Sequence, residues 1–298
     1  MVKTLTKLFF AVMAALLPDY AEGQSLTVNV KDGDPVTLQT SQIESITFTD
    51  NLSSHHDAPK IGDFYYADGT WSSEIDYSKN PIGVVFYTGD PTAEDPVLKA
   101  DFPNCNHGLV IAAFAEEPGC MWQNNYQTFG SAVGKWVTQN LTGYVSTESN
   151  FGKDEIRNSI LGYNNTKAIR AFNNANTGYT VIPVEKAAAF EAEHSAPASS
   201  SGWYVPSIKE LFLLINGEMD NAEVLEATTT HKNIAVIDNA LLYIIGAKQI
   251  YNSQWAYNIW ASTEYGAYGY TICTYDGKIE GTLKENHVNF QTRFILAF

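Results

Sequence analysis

Apolar and polar residues alternate from Leu26 to Lys31. Leu26, Val28 and Val30 fall on one face of an expected strand, and Thr27, Asn29 and Lys31 fall on the other. Asp32-Gly33-Asp34-Pro35 reads as a turn, and Val36 and Leu38 begin a return strand, so the pattern predicts a hairpin. Ile46 and Phe48 alternate in a third short run, and the polar stretch 51–59, with His55-His56, reads as a linker. A hairpin of this size buries too little to be stable alone.

From Ile61 the pattern changes. Residues 82–87 (IGVVFY) and 109–114 (LVIAAF) are unbroken apolar runs bounded by Gly, Asp and Pro, which predicts central strands buried on both faces. The connection between them holds Pro91, Pro96 and Pro103 and reads as a surface loop. Residues 129–141 predict a short helix, and polar, turn-rich sequence follows through Tyr179. Residues 183–193 predict a good helix, with Pro183 near its start and four alanines inside. Residues 195–202 read as a loop. Ser207 then predicts an N-cap, with Glu210 completing a capping box before Leu211, Phe212, Leu214 and Ile215. Residues 221–226 and 239–246 read as further helical pieces. Strands are expected over 255–261, 268–275 and 292–298, with Asp276-Gly277 as a hairpin turn. Helices in the middle and strands at both ends predict an α+β class in which the terminal strands meet.

The first residues read as processing signal rather than fold. Lys3 and Lys7 precede ten unbroken apolar residues, 8–17, then Pro18 and the small residues of Ala21-Glu22-Gly23. This is the pattern of a secretory signal peptide over 1–23, too short for a membrane span of about 20 residues. No Cys follows the apolar run, which argues against a lipid anchor. The expected location is therefore exported: extracellular, cell surface or periplasmic. The full chain has 33 acidic against 18 basic residues and a net charge of -15, and the signal peptide removes two of each, so the balance is unchanged. That balance excludes a nucleic-acid surface, which needs clustered Lys and Arg. Export makes disulfides possible, but three cysteines, Cys105, Cys120 and Cys273, cannot form a complete framework. Either Cys105 and Cys120 pair, contributing about 3 kcal/mol, or all three pack as buried thiols.

Three blocks in order carry a resemblance. Gly202-Trp203-Tyr204-Val205-Pro206-Ser207 runs into Glu210-Leu211; residues 259–264 read IWASTE; the chain ends RFILAF. With the 83–87 and 107–110 blocks upstream, these resemble the C-type-lectin-like domains of secreted Bacteroidetes proteins, including the Fibrobacter-type major paralogous domain. That group is distantly similar to formylglycine-generating enzymes. The resemblance covers 59–298, leaving 24–58 as a β-hairpin appendage and linker. It implies a C-type-lectin-like fold, with two main helices on a curled antiparallel sheet and paired N- and C-terminal strands. It also implies that Trp203, Pro206, Glu210 and Trp260 are structural, and that Arg293 pairs with a buried carboxylate. The segment ending ESITF at Phe48 resembles a common opening of exported proteins in that phylum.

Catalytic and nucleotide-binding signatures are missing: HExxH, GxSxG, a Walker loop and CxxC do not occur. His107 reads as structural. The formylglycine-generating chemistry needs a cysteine pair near the C-terminus, where only Cys273 stands. The calcium-cage motifs of sugar-binding lectins are likewise missing, and Glu264 and Asp276 are single carboxylates. The expectation is no enzyme, no metal and no cofactor. The informative stretch is 251–270, where seven of twenty residues are Tyr or Trp against 13% aromatic overall. Amides and hydroxyls are interleaved, a composition suited to recognition. Tyr251, Asn252, Gln254, Trp255, Tyr257, Asn258, Tyr265, Tyr268 and Tyr270 are the candidate ligand-binding residues, and the alternative is that these rings fill the core. The expected function is a secreted or surface-displayed module that binds a glycan or a surface protein. The alternative is a structural fimbrial-tip or matrix subunit, assembled into a pilus through its N-terminal strands.

Overall fold

The computed structural model describes residues 25–28, 36–39, 58–150, 155–217, 232–251, 258–286 and 289–298. Contacts divide the chain into two units, 1–54 and 55–298. The first holds the expected hairpin. Strand β1 (Ser25–Val28) pairs antiparallel with β2 (Val36–Gln39), Leu26 opposite Leu38 and Val28 opposite Val36. The signal peptide, the turn at 32–35, and Ile46 with Phe48 lie outside the described residues.

The second unit runs β3 (Phe64–Tyr66), β4 (Trp71–Ser72), β5 (Pro81–Tyr87), α1 (Pro96–Asp101), β6 (Leu109–Ala112) and β7 (Glu116–Cys120). Helices follow: α2 (Tyr126–Phe129), α3 (Val133–Asn140), α4 (Gly162–Ala175), α5 (Ile182–Glu193), α6 (Ile208–Asn216) and α7 (Lys232–Leu241). Strands β8 (Asn258–Tyr265), β9 (Tyr268–Cys273), β10 (Ile279–Leu283), β11 (Phe290–Thr292) and β12 (Ile295–Ala297) close the chain. They form two five-stranded sheets, β12-β6-β5-β3-β4 and β10-β9-β8-β11-β7. Every strand pair is antiparallel except β8 with β11. The class is α+β, as the pattern of elements predicted. The terminal strands do share a sheet, but β12 lies against β6, not against the first strand.

Strand alternation explains why β5 and β6 are apolar throughout. Val84, Phe86, Leu109 and Ile111 face one core, with α6 and α7. Val85, Val110 and Ala112 face a second core, with Ala168, Ile169 and Phe172 of α4 and Phe190 of α5. A strand with a core on each side has no polar face to show. Helix α6 is buried at all nine residues, as expected of a helix apolar all round. Its capping box forms as read: Glu210 N donates to Ser207 Oγ, and Ser207 N donates to Glu210 Oε2 at 2.6 Å.

Several expectations need correction. The proline-rich connection is no plain surface loop. Asp95 Oδ1 caps α1 by accepting from Val97 N and Leu98 N, at 3.0 and 2.9 Å, and Val97 and Leu98 are buried. The stretch read as turn-rich contains α4, fourteen residues long. Two of its asparagines look polar in sequence but are buried on backbone partners. Asn164 accepts from Val145 N and donates to Val145 O; Asn173 does the same with Val181. Of the run 239–246, only the start lies in α7, and 221–226 lies outside the described residues. Cys105 and Cys120 are free thiols, Cys105 in the first core and Cys120 in the second. Arg293 is buried; its hydrogen bonds go to the carbonyls of Ala112 and Lys248, at 3.1 and 3.0 Å, and the buried carboxylate of Asp238 interacts with its charge without a hydrogen bond.

Burial pushes the carboxyls of Asp95 and Glu210 up, to about 6 and about 7. An acid whose folded pKa exceeds its unfolded one holds extra protons when folded, so its stabilisation is lost as pH rises through the folded value. The affected window is about pH 4 to 7. Glu210→Gln should therefore raise the melting temperature at pH 8 and flatten its fall between pH 5 and pH 8. The side chain keeps its capping geometry, since Gln also closes a capping box. The Glu210 contribution is roughly 3 kcal/mol at 1.36 kcal/mol per pK unit. Melts with unchanged pH dependence in the variant would refute the assignment.

Candidate functional site

The aromatic stretch divides when it folds. Asn252, Gln254, Trp255 and Tyr257 lie outside the described residues. Tyr265 and Tyr268 stack at 5.0 Å across the β8–β9 turn, with Tyr268 38% exposed and Tyr265 partly buried. Tyr251 stacks instead on Tyr275, 6.2 Å away, and both rings are exposed. These pairs sit at opposite ends of β9, whose five residue steps span about 17 Å. Asn258 opens β8, partly buried, with Nδ2 3.5 Å from Thr271 Oγ1. Tyr270 is a correction: it is a core residue, 3% exposed, and its hydroxyl accepts from Ser149 Oγ at 3.1 Å. A ring at that depth has no surface to offer a ligand.

The Trp residues of the quoted blocks are structural, as expected. Trp260 is fully buried and Trp203 nearly so, with Nε1 donating to Cys120 O and to His194 O respectively. Pro206 and Glu210 are buried too. His107 is exposed, at the edge, with its ring over Phe298. Glu264 is not a free carboxylate. Its Oε1 accepts from Gly134 N at 2.6 Å and Thr147 Oγ1 at 2.7 Å, its Oε2 from Val133 N at 3.2 Å, and Lys284 Nζ pairs with it in full burial. It thereby caps α3, whose Ala132 has no capping side chain. Asp276 closes its own turn by accepting from Lys278 N. Among the described residues, three or more His, Cys, Asp or Glu side chains do not converge on one point.

The exposed feature that does stand out is built on α7. Ile234, Ile237, Ala240 and Leu241 anchor the helix in the first core. Its outer side shows Val236, 46% exposed. The turn after it cannot bury a run of five apolar residues, 241–245. Ile244 goes inward, while Leu242 is 65%, Tyr243 56% and Ile245 83% exposed. Tyr77 reaches across to this turn and donates its hydroxyl to Tyr243 O at 2.8 Å. Buried Asp238 ties the segment beyond to the helix, accepting from Ile250 N at 2.6 Å and Tyr251 N at 2.8 Å. Burial pushes its carboxyl up, and Arg293 opposes the shift. Between α7 and this segment lies a groove of about 490 Å³, lined by Ile234, Asp238, Leu242, Gln249, Tyr251 and Tyr275. A second groove of about 300 Å³ flanks Val236 and Tyr243 on the side of Lys60 and Gly62.

Exposed apolar side chains gathered on one helix and the turn after it make a candidate contact site. Its one buried acid is already committed to backbone amides, so what it offers is apolar area and tyrosine hydroxyls. Such a surface can bind by excluding water. The sequence pattern, which predicts a helical piece over 239–246, does not reveal it. The signal was the run LLYII, longer than one helix face can bury. Among the described residues, no helix is long and apolar enough to cross a membrane.

No protein-family model matches the chain. It is similar to the candidate fimbrium tip subunit Fim1C of Bacteroides ovatus, with 29% identity over 269 residues, which takes in 82% of this chain and 46% of that protein. Its fold is similar to the crystal structure of a fimbrial protein from Bacteroides ovatus, with a TM-score of 0.59 at 22% identity, over 80% of this chain and 49% of that one. The chain thus spans about half the length of the proteins it matches.

Proposed function

We propose that the chain is a non-enzymatic fimbrial subunit of the cell surface, seated in its assembly through the apolar surface of α7 and the turn after it. The similarity to a fimbrium tip subunit along 82% of the chain carries this reading. The surface supports it in kind. Leu242, Tyr243 and Ile245 are left in water by the isolated chain, and covering one such side chain contributes about 1.5–3 kcal/mol. The occupant is another fimbrial subunit, presenting an apolar face with donors for the tyrosine hydroxyls. The signal-peptide pattern over 1–23 suits an exported subunit. The C-type-lectin-like ancestry of 59–298 is part of the proposal, resting on the 202–211, 259–264 and C-terminal blocks.

A second reading has one observation in its favour: the stacked, exposed Tyr251–Tyr275 pair could lie against a sugar ring. A tip subunit both assembles and binds, so the two readings are compatible.

The test is the double variant Leu242→Asp, Ile245→Asp. Both side chains are exposed, so the fold should survive, as a normal melt would show. Incorporation into isolated fimbriae should drop about tenfold or more, the effect of 1.4 kcal/mol or above. A photo-cross-linker at position 245 should capture a fimbrial subunit. Normal incorporation of the variant would overturn the proposal. A glycan array run on the wild type and on Tyr275→Ala tests the second reading separately.

A further inference from the structure

We propose that the side chains of Glu264 and Lys284 join as an amide, an intramolecular cross-link sealed inside the C-terminal sheet. The inference rests on the geometry of this pair and not on the fimbrial reading. Glu264 lies near the end of β8, and Lys284 directly follows β10. Because β9 runs between those strands, the bond would strap three neighbours together.

Three features converge on the two groups. Both side chains have zero solvent exposure. Lys284 Nζ donates to Glu264 Oε2 and to Gly266 O, the latter at 2.8 Å. The rings of Trp122 and Tyr126 cover it, with centroids at 4.8 and 4.5 Å. Burial pushes the Lys284 ammonium toward the neutral amine, the form that carries a free lone pair. On the other side, two donors already hold Glu264 Oε1: Gly134 N–H at 2.6 Å and Thr147 Oγ1–H at 2.7 Å. Negative charge develops on that oxygen when an amine adds to Cδ. Fixed donors aimed at such an oxygen, with water excluded, stabilise the tetrahedral intermediate.

The chemistry balances without a co-reactant. A proton passes from the Nζ ammonium to Oε2, leaving an amine beside a carboxylic acid. Nζ then adds to Cδ, and the charge falls on Oε1. The Cδ–Oε2 bond breaks, and Oε2 departs as water with its own proton and one from the nitrogen. One hydrogen stays on the new amide. In dilute solution the reverse reaction wins, because both ions are well hydrated. Here neither ion is hydrated, and groups held in reacting position act at an effective concentration of about 10⁵–10⁸ M. Glu148, whose carboxylate accepts from Gly266 N at 3.3 Å, acts on the Lys284 charge and favours the ammonium, against the effect of burial.

Peptide mapping of the whole chain after unfolding and trypsin decides the matter. Trypsin needs a free lysine side chain. The expected result is no cleavage after Lys284, with peptide 279–293 recovered joined to 249–278 at their combined mass less one water. Tandem spectra should place the link at Glu264. Lys284→Arg keeps the positive charge but not the amine, and should release 249–278 alone. Recovery of free 249–278, 279–284 and 285–293 from the folded wild-type chain would overturn the proposal.

Discussion

Glu264→Ala is expected to lower the free energy of unfolding by at least about 3–5 kcal/mol, the usual loss when one partner of a buried ion pair is removed. The variant strands a buried ammonium between Trp122 and Tyr126. It also leaves Val133 N, Gly134 N and Thr147 Oγ1 without their acceptor. Each buried donor left unmade costs about 1–3 kcal/mol. Lys284→Met should cost less, because the carboxylate keeps its three other donors and the thioether replaces the apolar stem. This ordering holds whether the pair is ionic or joined, since both variants lose the link equally. A domain is stable by only about 5–15 kcal/mol, so the Ala variant should be near its unfolding threshold. Denaturant midpoints at constant slope check it. A Glu264→Ala midpoint close to wild type, or one above that of Lys284→Met, would show that the carboxylate is not what holds α3 to β8.

Trp260→Ala should cost about 3–5 kcal/mol, as large truncations in a packed core do. Trp260 ties β8 to β7 through its Nε1 bond to Cys120 O, at 2.8 Å. Trp122 makes the reciprocal tie, donating from Nε1 to Ala261 O at 2.8 Å. The two indoles meet over Gly269, where an added Cβ would come within 2.9 Å of Trp122 and 3.1 Å of Trp260. Removing one indole therefore opens a cavity, leaves the Cys120 carbonyl unbonded and unseats the other ring. Trp203→Ala falls in the same range, since its indole fills the second core and bonds His194 O at 2.7 Å. Normal melting of either variant, with partner binding lost, would move that tryptophan from the core to a ligand site.

Features whose causes lie within a few residues were legible in the sequence. The capping box of Ser207 and Glu210, the proline-started α5, the Asp276-Gly277 turn and the doubly buried β5 and β6 all follow from local hydrogen bonding and side-chain period. The α+β class followed from their order. The N-terminal hairpin was legible for the same reason. What the sequence left open depends on partners far along the chain. Glu264 is satisfied by residues about 120–130 positions earlier, at 133, 134 and 147, and by Lys284 twenty positions later. The helicity of α4 depends on burying asparagines against strand and loop backbone that composition reads as turn. Hydrophobicity says that a ring or an aliphatic chain gains from leaving water, but not whether the fold has room for it. Thus Tyr270 went into the core, while Leu242 and Ile245, no less apolar, were left outside because the first core was already filled from α7's other side. Only the packed tertiary structure decides which apolar residues remain available to a partner.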